Sequence, residues 1–300
     1  MNKNKFIVFL ACLFTVAMVC FPRVTEAGAK SAIIIWANSI VPVLLPFFIF
    51  SDFIKRTGDL EKLPARVYPF LVACLSGYPM GAKVTADMVM ERNLCVAVGR
   101  HILSYSLVTG PAFIMGTIGG FLGSVPAAAV VAVAHYGGAL VNGLIWRDSG
   151  GRQRMPISAR TKQQAAGNSS LMDGFSLAIM AGFRAMAVIL AYLMLFMIGM
   201  NLLEEAGVFA WIGNETVSSV LKGILEMTAG ISMVGVCNIS LEMKTVLTAF
   251  LVSFGGLSVI GQSVSVAEGS GIGLLDILKI KMTHGLLAGI AAVILAWFVL

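Results

Sequence analysis

The residues best suited to chemistry lie in the run Ser76-Gly77-Tyr78-Pro79-Met80-Gly81-Ala82-Lys83. Two glycines and a proline interrupt a helix and let a solute approach the backbone. The N–H groups freed by such a break, and the positive end of the half-helix that follows, favour an anion. Lys83 stands within one turn of the break and would add a full positive charge. Asp87, four residues on, falls on the same helix face, so Lys83 also reads as half of an ion pair at an interface. A second run, Glu226-Met227-Thr228-Ala229-Gly230, pairs a carboxylate and a hydroxyl with an open backbone. Glu226 there could take up a proton, hold a cation or accept from a solute donor; it could equally stand in solvent, paired with Lys222. A third run, Phe254-Gly255-Gly256-Leu257-Ser258, is followed one turn later by Gln262. Its glycines allow close helix packing, and Ser258 and Gln262 could line a pathway.

No other enzyme chemistry can be assembled. The sequence has no phosphate-binding P-loop, no H-E-x-x-H, no G-x-S-x-G and no carboxylate cluster for paired metals. Cys12, Cys20, Cys74, Cys95 and Cys237 are scattered, without a C-x-x-C or a Cys/His cluster. His101, His135 and His284 are far apart in sequence. The expectation is a protein that is not an enzyme and needs neither metal nor cofactor.

These runs sit in a chain that must live in lipid. Of its 300 residues, 58% are hydrophobic and 12% charged, where a soluble domain carries about 25% charged residues. So few charges exclude a soluble enzyme, a nucleic-acid binder and a disordered chain. The net charge of +6 is read as lysine and arginine held in cytoplasmic loops.

Uncharged stretches place seven spans. They run over 6–22, 31–51, two within 102–146 turning at Ser124-Val125-Pro126, then 185–203, 245–267 and 282–300. The apolar stretches 67–82 and 227–241 are too short and too interrupted to cross. They read as re-entrant hairpins or broken helices, since irregular backbone in a membrane is tolerated only where protein or a watery cavity satisfies it. With a cytoplasmic N-terminus, fifteen lysines and arginines fall inside, Lys279 and Lys281 among them. Four, namely Arg23, Lys30, Lys222 and Lys244, fall outside. The basic start and Glu26-Ala27-Gly28-Ala29 also resemble a signal peptide; an uncleaved anchor is the favoured reading.

The order of parts recurs. Long helix, interrupted hairpin, a helix containing Thr109-Gly110-Pro111-Ala112-Phe113, and a last helix are matched by long helix, interrupted segment, a helix containing Phe254-Gly255-Gly256, and a last helix. Three spans per half would set the second copy in the membrane upside down, an inverted repeat. The expected division is an anchor helix (1–30), a first gate-like repeat (31–147), a basic cytoplasmic linker (148–173) and a second gate-like repeat (174–300). The fold class is an all-α polytopic membrane protein of about seven helices plus two re-entrant segments.

Pro42-x-x-x-Pro46-Phe47-Phe48, the Ser76–Lys83 run and Ser253-Phe254-Gly255-Gly256-Leu257-Ser258 resemble the sporulation integral membrane protein YlbJ family, over about 31–300. That family lies within a wider group carrying a nucleoside-recognition or gate domain. The resemblance implies a polytopic protein of spore-forming bacteria that moves dipicolinic acid across the membrane around the developing spore. A planar aromatic dianion would suit helix-end N–H groups, Lys83, and Tyr78 for stacking. The sequence is shorter than typical members and departs from them at 226–230, which leaves other small organic anions, nucleoside-like solutes and a non-transporting role in spore assembly as alternatives. The candidate binding residues are Ser76, Gly77, Tyr78, Pro79, Gly81, Lys83, Glu226, Thr228, Gly230, Gly255, Gly256, Ser258 and Gln262. The expected partners are the lipid bilayer and a small organic anion, with a homo-oligomer compatible and nucleic acid excluded. The expected location is a bacterial cell membrane, that around the forespore included.

Overall fold

The computed structural model describes residues 3–57, 63–147 and 171–300. The expected linker therefore lies almost wholly outside the described residues, as do Lys62, Arg152, Arg154, Arg160 and Lys162. All regular elements among the described residues are helical. The chain opens with α1 (Lys3–Cys20) and α2 (Pro22–Ile35), then a π-helical turn (Trp36–Ile40) and α3 (Val41–Thr57). Proline at the first position of α2 separates it from α1, because its missing N–H is no loss there. An interrupted hairpin follows, α4 (Tyr68–Ser76) and α5 (Met80–Met90). Then come α6 (Val96–Ser106), a π-helical turn (Phe113–Ile118) continuing into α7 (Gly119–Leu122), and α8 (Val125–Ile145). The second half contains α9 (Leu171–Glu205), α10 (Glu215–Leu225), α11 (Met227–Val236), α12 (Leu241–Phe254), α13 (Gly256–Val266) and α14 (Leu274–Val299).

Five helical stretches are long and apolar enough to cross a membrane: Pro22–Ile54, Val125–Ile145, Leu171–Glu205, Leu241–Val266 and Leu274–Val299. The stretch Val8–Cys20, expected as a span, is a shorter apolar helix, as are Phe113–Leu122 and Met227–Val236. The stretch at 102–122, expected to be one span, is broken. Helix α6 ends at Ser106, residues 107–110 are not helical, and the next helix opens at Pro111. Proline has no N–H to donate and its ring clashes with the preceding turn, so Gly110-Pro111 stops one helix and starts another. The Gly255-Gly256 pair breaks the stretch at 245–267 in a different way. Both residues have positive φ, +84° and +68°, where a side chain would be strained.

Helices α2 and α3 pack along α9 at one side, and α8, α12 and α14 pack together at the other. The indole N–H of Trp36 donates to the carbonyl of Met186 at 3.0 Å, fixing the first pair. Many outward side chains are large and apolar, among them Val133, Leu144, Ile290 and Val293. Such a surface is at home in hydrocarbon and would be a liability in water.

Candidate functional site

Four helix breaks converge at one place. The break at Gly77 has φ +65° and lies against the break at 107–110: a Cβ on Gly77 would stand 3.2 Å from the Gly110 nitrogen. The break at Glu226 lies against Gly255-Gly256 in the same way, a Cβ on Gly256 reaching 2.9 Å from the Met227 nitrogen. Each half thus sets its hairpin break against its own broken long helix. Between the two pairs lies a cavity of about 60 Å³ walled by Gly77, Tyr78, Thr109, Gly110, Glu226 and Thr228, with Gln262 beside them. Apolar side chains complete it, Phe48 from α3 and Ile189 and Leu193 from α9 included. It has room for roughly four water molecules.

Glu226 is the ionisable residue of that wall, and its placement has a local cause. It is the N-cap of α11, with extended backbone and a carboxylate that accepts from the Ala229 N–H at 2.7 Å. The N–H and hydroxyl of Thr228 and the hydroxyl of Ser258 (3.3 Å) complete its donor set. A carboxyl group 4% exposed is tolerable because both of its oxygens meet a donor. Its expected partner Lys222 is elsewhere: that ammonium pairs with Glu204 at 2.8 Å and lies over the Phe209 ring.

Tyr78 enters from the first half. Its hydroxyl donates to the Val252 carbonyl at 3.1 Å and accepts from Lys281 Nζ at 2.5 Å. Lys281 also donates to the Leu107 carbonyl at 3.0 Å. Next to it, His135 Nε2 accepts from the Thr109 N–H at 3.1 Å, so Nδ1 carries the ring proton and donates to Ser253 Oγ at 2.8 Å. His284 Nε2 donates to the His135 carbonyl at 2.9 Å, and the two imidazoles lie 4.8 Å apart. This buried polar cluster ties the first-half break at 107–110 to the second-half break after Phe254.

Of the candidate residues, Gly77, Tyr78, Glu226, Thr228 and Gln262 reach the cavity wall. Ser258 acts on it through Glu226. Gly255 and Gly256 form a break, and Pro79 precedes the first turn of α5. Ser76 is buried with a hydroxyl that has no hydrogen-bond partner among the described residues. Gly81 and Gly230, expected to open the backbone to a solute, instead permit helix contact. A Cβ on Gly81 would lie 2.0 Å from the Ser106 carbonyl oxygen, and one on Gly230 2.0 Å from the Gly223 Cα.

Lys83 is not brought to the cavity. Its side chain is half exposed and pairs with Asp87 at 3.0 Å, the ion-pair reading of that spacing. Lys281, counted from the sequence in a cytoplasmic segment, is instead 1% exposed within α14. Sequence reasoning also left out His135, Ser253 and Thr109 as site residues; the Gly110-Pro111 dipeptide was the available signal for the last. Lys83→Ala is expected to change stability by less than about 1 kcal/mol and to leave solute affinity unaltered in a binding titration. A clear loss of affinity would return Lys83 to the site. Among the described residues no group of three or more His, Cys, Asp or Glu side chains is placed to hold a metal.

The sequence is similar to the sporulation integral membrane protein YlbJ of Bacillus subtilis (strain 168), with 22% identity covering 98% of this chain and 84% of that one. It is a distant homologue, and the similarity agrees with the family its motifs resemble. No family model and no solved structure matches the chain. The apolar helices and the homologue together make this an integral membrane protein of bacteria.

Proposed function

We propose, starting from this distant homology to a sporulation membrane protein, that the chain transports a small organic anion, dipicolinic acid during spore formation being the preferred solute. The observation that carries the reading is a cavity whose wall takes Gly77 and Tyr78 from one interrupted hairpin and Glu226 and Thr228 from the other. Paired interruptions meeting at a common site are the arrangement of transporters built from inverted repeats. In this reading 31–147 and 174–300 are the two repeats, with three spans and one re-entrant hairpin in each, and 1–30 is the anchor helix. Residues 148–173 form the cytoplasmic linker.

Two features support an anion, and a third would regulate its entry. Gly110 and Phe113, at the start of the helix opening at Pro111, line the cavity, and a helix N-terminus carries partial positive charge. Tyr78 offers an aromatic face to a planar ring. Glu226, the one carboxylate on the wall, is the proton- or cation-responsive group: it opposes an anion when charged and ceases to do so when protonated or cation-bound.

Equilibrium binding of labelled dipicolinate to purified protein tests the substrate class. Saturable binding displaced by other aromatic dicarboxylates and not by uridine is expected. Displacement by uridine alone would make the solute nucleoside-like. Binding without uptake into vesicles would favour a non-transporting role in spore assembly.

A further inference from the structure

Lys281 stands two turns inside α14 and is 1% exposed, yet none of the described carboxylates pairs with it. Its Nζ is held by uncharged acceptors. These are the Tyr78 hydroxyl at 2.5 Å, the Leu107 carbonyl at the end of α6 at 3.0 Å, and the Tyr78 ring, whose centroid is 4.4 Å away. Its stem runs past the second-half break, where a Cβ on Gly255 would meet Lys281 Cε at 3.3 Å. The neighbouring imidazoles of His135 and His284 are occupied by hydrogen bonds to neutral groups. An ionisable side chain inside a membrane protein with no partner of opposite charge among the described residues marks a functional position. Tyr78, the residue it grips, is itself part of the cavity wall.

We propose that Lys281 is the residue that makes the cavity selective for anions, its charge acting through and beside Tyr78 on the solute. The inference rests on the anion reading above and supplies what Lys83 does not. Lys83 carries its own counter-ion and lies half in solvent; Lys281 carries none and lies in the interior. A carboxylate entering beside Tyr78 would be the counter-ion that lets the buried amine hold its proton, and in a low-dielectric setting the attraction between the two is little screened. A neutral solute of the same shape gains nothing from that attraction, so charge selectivity follows from one buried side chain. Lys281 is a positioning and specificity residue, since it acts partly through Tyr78.

The test is uptake into vesicles of two probes with one ring, pyridine-2,6-dicarboxylate and the uncharged pyridine-2,6-dicarboxamide. Wild-type protein is expected to prefer the dianion. Lys281→Met, which keeps the stem and removes the charge, is expected to lower the ratio of dianion to diamide uptake by about tenfold or more, and Lys281→Arg to recover most of it. If Lys281→Met fails to insert, Tyr78→Phe serves: it removes the oxygen that receives Lys281, keeps the ring, and is expected to lower the same ratio. A ratio equal to wild type in the inserted variants, whether or not both uptakes fall together, overturns the inference and assigns Lys281 a structural role. Wild-type vesicles that take up neither probe overturn the transport reading and this inference with it. Anion-selective wild type with an unchanged ratio in the variants overturns this inference alone.

Discussion

Gly230→Ala and Gly81→Ala are each expected to cost about 3 kcal/mol or more, enough to lower the melting temperature of the detergent-solubilised protein steeply or to prevent its accumulation. One methyl group is the whole change. At Gly230 it would sit 2.0 Å from the Gly223 Cα, and at Gly81 2.0 Å from the Ser106 carbonyl oxygen. Both obstacles are backbone, so no side-chain rotation relieves them; helices α10 and α11 would have to separate, or α5 lift from the end of α6. Close helix approach through small residues is a principal source of helix association in lipid. Gly137 and Gly120 are the controls, since a Cβ added there meets nothing within 4 Å. Alanine at either control is expected to leave the melting temperature unchanged or raise it slightly through helix propensity. Equal melting temperatures for Gly230→Ala and Gly120→Ala would mean that the hairpin is not packed as described.

Glu226 gives the second large effect, and two substitutions separate its two roles. Glu226→Ala removes the acceptor for the N–H groups of Thr228 and Ala229 and for the Ser258 hydroxyl, all in a buried setting. The expected loss is about 2–4 kcal/mol, combining a helix cap with stranded buried donors. Glu226→Gln keeps a carbonyl oxygen for the Ala229 N–H and should retain most of the stability. It removes the charge, so uptake should lose its dependence on pH or on a coupling cation while affinity changes less. A pH series of initial uptake rates checks this. A Gln variant whose profile overlays that of wild type leaves Glu226 as a helix cap and nothing more.

The breaks at 77–79 and at 226 were legible in the sequence, because glycine, proline and an ionisable residue interrupt apolar stretches too short to cross a membrane. From them the cavity residues Gly77, Tyr78, Glu226, Thr228 and Gln262 could be named. The breaks at 107–110 and 255–256 were harder to see, since each lies within an uncharged stretch long enough for an unbroken span. Gly110-Pro111 and Gly255-Gly256 were the local signals, and length outweighed them. The positive charge was assigned to Lys83 because it adjoins a break along the chain. What decides its role is which face of α5 it occupies, and Asp87 on that same face is satisfied by solvent and by Lys83 itself. Lys281 was counted with Lys279 in a cytoplasmic segment. Only tertiary packing shows that α14 begins at Leu274 and carries Lys281 against Tyr78, 203 residues away in sequence. The histidine pair is similar: His135 and His284 are separated by 149 residues and meet because α8 packs on α14.

The cavity between the four breaks is the proposed route of a small organic anion. Uptake of radiolabelled dipicolinate into vesicles carrying wild-type protein or Ile189→Trp tests it most directly. Ile189 reaches the cavity from α9 and belongs to neither hairpin, so a larger side chain there fills the space without touching the breaks. Saturable uptake by wild type, with none above protein-free vesicles for an equally inserted Ile189→Trp, is the predicted result. Uptake by the filled variant at the wild-type rate, or wild-type vesicles no different from empty ones, would contradict it.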